Sequence, residues 1–292
     1  MSASRIGRND GSWRDPALKN ARIGVIAGLK VRGDSLRYVA DFGLQTCQLV
    51  CWEPEIYSAS LAGRVKKESA KSGVRITSLW AGWPGPANWN FTDGPATLGL
   101  VPREWRDRRV TALRKAGDFA ARAGIPAVVT HLGFIPENQR ERLFGEMVAA
   151  VRGLARYFGE RGLEFWFETG QETPVTLLRL IETVGLPNLG INLDPANLIM
   201  YGKANPIDAL EVFGKHVKSV HAKDGLYPTD PMKLGEEVRV GKGKVRFPEF
   251  VRALEGRGYR GAYIIEREIE GAKQSADIAA TVDYLSGFLG MD

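Results

Sequence analysis

Short β-branched and aliphatic runs alternate with longer stretches whose apolar positions recur at helical spacing, and this alternation persists from about residue 22 to the end of the chain. RIGVIA at 22–27 reads as a strand, and DSLRYVADFG at 34–43 as a helix with Asp34 as its cap and Gly43 as its stop. The unit recurs as TCQLVCW (46–52) with a helix near 60–72, VRITSLW (74–80) with 103–123, and PAVVTH (126–131) with 138–160. It continues as LEFWFE (163–168) with 174–184, LGINLD (189–194) with 205–214, VKSVHA (217–222) with 248–256, and GAYIIE (261–266) with 274–289. Several of these strands are continuously apolar, as parallel strands covered by helices are. Gly124, Gly162 and Gly258 each stand between a helix and the next strand, where a left-handed stop is expected.

Eight strand and helix pairs predict the α/β class and a single (β/α)8 TIM barrel, since doubly wound open sheets usually stop at five or six strands. The barrel is expected over residues 20–292, after an N-terminal extension of residues 1–19. Two connections exceed what a barrel needs, 81–102 and 223–247, and both follow the C-terminal ends of strands, where barrel enzymes place substrate loops. A lid or rim is expected of them, and the Trp- and Gly-rich first loop is expected to close over the substrate.

Composition narrows the picture further. Hydrophobic residues at 44% and charged residues at 25% suffice for a core without disulfide or metal staples. Forty Lys and Arg against 34 Asp and Glu leave +6, a modest excess to which Arg5, Arg8, Arg14 and Lys19 contribute, offset by Asp10 and Asp15. No dense basic stripe speaks for nucleic acid. Cys47 and Cys51, the only two cysteines, read as buried small hydrophobes. No apolar leader or membrane-length run is present in the sequence, so a cytoplasmic protein without membrane contact is expected. Neither a P-loop nor a dinucleotide fingerprint is found, which excludes ATP and NAD as expected cofactors. The GKGK at 241–244 reads as a hydrophilic turn rather than an anion cradle.

The chemistry gathers at consecutive strand ends. LEFWFE ends in Glu168, LGINLD in Asp194, VKSVH in His221 and GAYIIE in Glu266, and a barrel converges these four on its axis at the top face. Three carboxylates there repel one another unless a positive charge joins them. One divalent cation is the economical answer, and three oxygens with one imidazole suit Mn²⁺ (the first choice), Mg²⁺, Co²⁺ or Zn²⁺. Around this set, His131 at the end of the fourth strand, Glu172, Asn197 and Lys223 are candidate substrate contacts. Arg267 is a candidate substrate contact or partner of a ligating carboxylate. Trp52 and Trp83, with Trp80, Trp89 and Trp166, offer flat faces for the C–H side of a sugar. His216 is placed away from the site.

ETGQE (168–172), LDPANL (193–198), HVKSVHAKDG (216–225) and GYRGAYIIERE (258–268) make residues 20–290 resemble the sugar phosphate isomerase/epimerase family of the xylose isomerase-like TIM-barrel superfamily, which includes ketose 3-epimerases and inosose dehydratases. The resemblance implies Glu168, Asp194, His221 and Glu266 as ligands of one divalent ion, and base and acid work for Glu168 and Glu266. Two positions depart from the ketose 3-epimerases: Asn197 stands where they have a substrate-binding histidine, and Tyr227 where they have an arginine. The expected activity is a sugar or keto-sugar isomerase or epimerase, working by proton abstraction beside a metal-polarised carbonyl through an enediolate. A lyase or dehydratase acting on a keto-sugar, 3-oxo-glycoside or inosose by β-elimination is the alternative, and a non-enzymatic carbohydrate-binding barrel a third. The expected partner is a small carbohydrate, with self-association left open.

Overall fold

The computed structural model describes residues 22–289. Eight of its strands are parallel and form one sheet: β1 (Ile23–Gly28), β2 (Thr46–Cys51), β3 (Arg75–Ala81), β4 (Ala127–His131), β5 (Glu164–Glu168), β6 (Leu189–Leu193), β7 (Val217–Ala222) and β10 (Tyr263–Ile265). They close on themselves in the order β1-β10-β7-β6-β5-β4-β3-β2, which is the expected (β/α)8 barrel. The extension at 1–19, with Arg5, Arg8, Arg14 and Lys19, lies outside the described residues.

The helices return each strand to the barrel by burying one face. In α5 (Arg142–Gly159), Phe144, Met147, Val148, Val151, Leu154, Ala155 and Phe158 are buried at three- and four-residue intervals. Each large apolar side chain so removed from water contributes about 1.5–3 kcal/mol. α4 (Arg103–Ala123) and α6 (Pro174–Val184) have the bounds the sequence predicts. Thr173 caps α6 by accepting from the Thr176 amide, and Pro174 fills the first helical position. Gly124, Gly162 and Gly258 have φ of 76°, 71° and 87°, the left-handed stops predicted for them. Cys47 and Cys51 are buried and free. Among the described residues no helix is long and apolar enough to cross a membrane.

Several elements differ from the sequence reading. The first helix shrinks to α1 (Arg37–Asp41), because the Asp34 side chain accepts from the Leu36 amide in a turn before the helix begins. The fourth strand's helix begins at Arg142 rather than 138. Two short helices add to the predicted set, α3 (Gly94–Thr97) and α7 (Pro195–Met200), the latter ahead of α8 (Pro206–Phe213). The long loop after β7 carries a small antiparallel pair, β8 (Asp224–Gly225) with β9 (Glu237–Val238). The outer layer also includes α2 (Ala59–Ser72), α9 (Phe247–Gly256) and α10 (Ala272–Ser286).

Candidate metal centre and its cavity

β5, β6, β7 and β10 deliver four donors to one place. Glu168 is the last residue of β5, while Asp194 follows β6 and opens α7 rather than ending the strand. His221 sits inside β7 and Glu266 one residue beyond β10. One ligand atom from each of the four lies within 4.8 Å of the others. Oxygen and nitrogen donors bind divalent ions at about 2.0–2.2 Å, so opposite ligands of one ion stand about 4 Å apart. His221 Nδ1 is 3.2 Å from Glu168 Oε1, 3.1 Å from Glu266 Oε2 and 3.7 Å from Asp194 Oδ2.

The local chain aims each donor. Asp194 Oδ1 accepts the Asn197 amide at 2.9 Å as the cap of α7, which leaves Oδ2 without a hydrogen-bond partner and directed at the cluster. The Thr169 hydroxyl bonds both the Asp194 carbonyl and the Asp194 amide at 2.9 Å, locking the ends of β5 and β6 together. Trp80 Nε1 donates to Glu168 Oε2, and Asn197 Nδ2 to Glu168 Oε1 at 3.3 Å. His221 Nε2 lies 2.8 Å from Gln48 Oε1, and Gln48 Nε2 donates to Ser78 Oγ at 2.8 Å and Asn192 Oδ1 at 3.3 Å. A glutamine oxygen only accepts, so Nε2 carries a proton there, and Nδ1 is the nitrogen that faces the carboxylates and that, once deprotonated, can bind an ion. Two buried ligand atoms without partners, Asp194 Oδ2 and His221 Nδ1, together with the hard donor set, fit a divalent ion.

Charge at the cluster is balanced by cations beside it. Burial by itself raises the Glu168 carboxyl, but His131 and His221 outweigh it and hold the group well below its ordinary range. Burial likewise acts to raise Glu266, and Lys223 and His221 bring it down to about 2. Asp194 is raised by its burial despite Lys223 and His221. Desolvation pulls His221 down, yet Glu168 and Glu266 lift it well above the ordinary imidazole range.

The cavity over the cluster holds about 450 Å³. Of the residues singled out in the sequence, Trp52, Trp80, Trp89, His131, Glu168, Asn197, Glu266 and Arg267 lie in its wall. Asp194 and His221 are wholly buried beneath it. Lys223, 2% exposed, stands behind the acids, with Nζ 3.2 Å from Glu266 Oε2, 3.6 Å from Asp194 Oδ2 and 3.1 Å from Glu268 Oε1. Trp83 is buried behind Trp52 and Trp89. Glu172 is buried near His131, with Oε2 unpartnered, and burial pushes its carboxyl up to about 7. Arg267 does not pair with Glu266; its Nη1 is 3.0 Å from Glu237 and its Nε donates to Asp277 at 2.9 Å. Trp166 faces Glu164, its Nε1 donating at 2.7 Å, and is absent from the cavity wall. His216 lies in a short turn before β7, away from the cluster.

Sequence patterning does not reveal Gln48, nor Trp80 as a partner of Glu168, nor Tyr201 and Tyr38 in the wall. The GKGK turn, for its part, does hold an anion, and that anion is the chain's own. The Gly241 and Gly243 amides donate to Asp224 Oδ2 at 3.0 and 2.9 Å, and the Val245 amide to Oδ1 at 3.1 Å. A Cβ on Gly243 would fall 2.1 Å from Asp224 Oδ1, which makes glycine obligatory at that approach. The cradle ties the second long loop to the residue after Lys223.

A model of the xylose isomerase-like TIM barrel family matches residues 36–286. Among solved structures, a xylose isomerase domain protein from Planctomyces limnophilus is 34% identical, with TM-score 0.86, over 91% of this chain and 96% of that one. A D-tagatose 3-epimerase-like protein superposes with TM-score 0.71 at 20% identity, over 92% of this chain and 97% of that one, a likeness of fold. The uncharacterized protein MJ1311 of Methanocaldococcus jannaschii is 26% identical over 185 residues, which are 59% of this chain. That match spans 61% of the relative's length.

Proposed function

We propose that this chain, which belongs to the xylose isomerase-like TIM barrel family, is a divalent-metal-dependent isomerase or epimerase of a sugar or keto-sugar. The observation that carries the reading is the convergence of Glu168, Asp194, His221 and Glu266 to within 4.8 Å at the floor of a cavity. When bound there, a divalent ion such as Mn²⁺ polarises the substrate carbonyl and stabilises the enediolate formed beside it. The chain's own residues supply everything else. Glu168 and Glu266 come from strands on either side of Asp194 and His221. One carboxylate oxygen takes the carbon-bound proton and the other group returns one from the opposite side. Trp80 and Asn197 orient Glu168 by hydrogen bonds, and Lys223 orients Glu266. Asn197 and His131 line the wall where substrate hydroxyls lie.

The test is solvent deuterium incorporation into a panel of sugars and keto-sugars by the Mn²⁺-loaded protein. Glu168→Gln and Glu266→Gln are each expected to lower turnover by a factor on the order of 10²–10⁴ while bound metal is checked separately. Near-normal turnover of either fully metallated variant removes that glutamate from the chemistry. Release of water or an aglycone in place of an isomeric sugar reassigns the same proton abstraction to β-elimination.

A further inference from the structure

One wall of the cavity is built for more than a single sugar ring. Trp80, 5% exposed, donates to Glu168, and its ring centroid lies 4.7 Å from that of Trp52. Trp52 is in turn 6.4 Å from Trp89, and these two are 43% and 40% exposed. Indole surface therefore runs without a break from a carboxylate of the cluster out to the mouth. The outer rings are held in place. Trp83 packs behind both at 5.4 and 6.3 Å, and Trp89 meets His131 at 5.0 Å. Trp52 sits on Gly82, where a Cβ would fall 2.5 Å from its Cε3. Ile26, Leu234 and Ile278 add apolar side chains to the cavity wall, beside the polar Tyr38, Gln274 and Arg267.

Size points the same way. The cavity's volume of about 450 Å³ equals that of roughly fifteen liquid waters, more than one monosaccharide ring displaces. Large apolar faces left half-wet at the entrance of a polar site gain by being covered, and rigid indoles are best covered by something flat. We infer, on the basis of the sugar reading above, that the substrate is a glycoside of a keto-sugar, its carbonyl on a ring carbon other than the acetal, whose apolar aglycone lies in the corner between the near-perpendicular rings of Trp52 and Trp89 while its sugar ring reaches the carboxylate cluster. Trp52 and Trp89 are thereby specificity-determining residues, and the inner indole of Trp80 serves the sugar.

Calorimetric titration of the Mn²⁺-loaded full chain with matched phenyl and methyl pyranosides of several sugars tests this. In at least one pair the phenyl glycoside is expected to bind about tenfold more tightly, the scale of one good aromatic contact. Trp52→Leu and Trp89→Leu should each weaken phenyl glycoside binding more than methyl glycoside binding, so that the preference falls while metal content is unchanged. No phenyl preference in any pair, or a preference intact in both variants, overturns the inference. So does equal affinity for phenol alone, which would make the wall an unspecific aromatic surface. Deuterium wash-in and metal content report on the isomerase reading separately, so phenyl preference without wash-in would sink that reading and leave the aromatic subsite standing.

Discussion

His221 can serve a divalent ion only if its second nitrogen is held in one direction, and Gln48 holds it from across the barrel. Its oxygen meets His221 Nε2 at 2.8 Å, while its amide is anchored on Ser78 and Asn192. Gln48→Leu removes the acceptor and frees the ring, and metal affinity is expected to fall about 10–100-fold, read by competition with a chelating dye. Unchanged affinity would show that the carboxylates alone orient His221. Glu172 makes a second case at this scale. Burial raises its carboxyl to about 7 from the ordinary 4.5, so the folded state favours the neutral form. Its stabilising contribution is full below pH 4.5 and is lost as pH climbs through about 7, amounting to roughly 3 kcal/mol by pH 8. Glu172→Gln should flatten that part of the profile, so the variant gains on the wild type between about pH 5 and pH 8 in urea unfolding; parallel profiles refute it. The four strand-end donors are legible in the sequence because each closes or adjoins an apolar run. Gln48 is not, because a polar residue inside a strand acquires meaning only from the partners that barrel closure brings to it.

Among the elements, the first long loop shows how a feature visible in sequence is anchored by a residue that is not. Its aromatic and glycine content predicts a lid over residues 81–102, yet Arg109 of α4 is fully buried beneath them and donates to Pro84 O at 3.2 Å, Gly99 O at 2.6 Å and Pro86 O at 2.9 Å. Its guanidinium also lies over Trp83 and Trp105, 5.3 and 5.9 Å from the ring centroids. These three carbonyls tie Pro84, Pro86 and Gly99 to α4, and the loop between them presents Trp89 to the cavity. Arg109→Ala should destabilise the protein by about 3 kcal/mol, since buried carbonyls lose a charged donor, and should speed hydrogen exchange across 82–100. An unchanged urea midpoint with unchanged exchange would show that Arg109 does not hold the loop. Nothing in the sequence distinguishes Arg109 from its neighbours Arg106 and Arg108; only its place on the inner face of α4 does. α4 and α6, long and strongly patterned, are readable to the residue, whereas six-residue α7 hides behind the strand it follows. Yet α7 is what makes Asp194 a cap and divides its two oxygens between helix and cluster.

At the scale of the molecule, the cluster ties together the last four strands of the barrel. β10 pairs with β1 through only Ile23–Tyr263, Gly24–Ile264 and Val25–Ile265, so barrel closure rests on a three-residue strand whose next residue is Glu266. An ion held by Glu168, Asp194, His221 and Glu266 links β5, β6, β7 and β10 at once, and it binds the folded chain alone because no such convergence survives unfolding. Linkage then sets the size of the effect. At a metal concentration about 1,000 times the Kd the folded state gains about 4 kcal/mol. For a chain of this length that moves the melting temperature by roughly 5–10 °C. Saturating Mn²⁺ should therefore raise Tm over the EDTA-treated protein by that amount, and Asp194→Ala should abolish the shift by removing a ligand whose Oδ2 has no other partner. Mg²⁺ and Zn²⁺ run in parallel rank the candidate ions by the same readout. A Tm indifferent to every divalent ion would mean that His221 and Lys223 alone hold the three carboxylates together, and would remove the metal from the site.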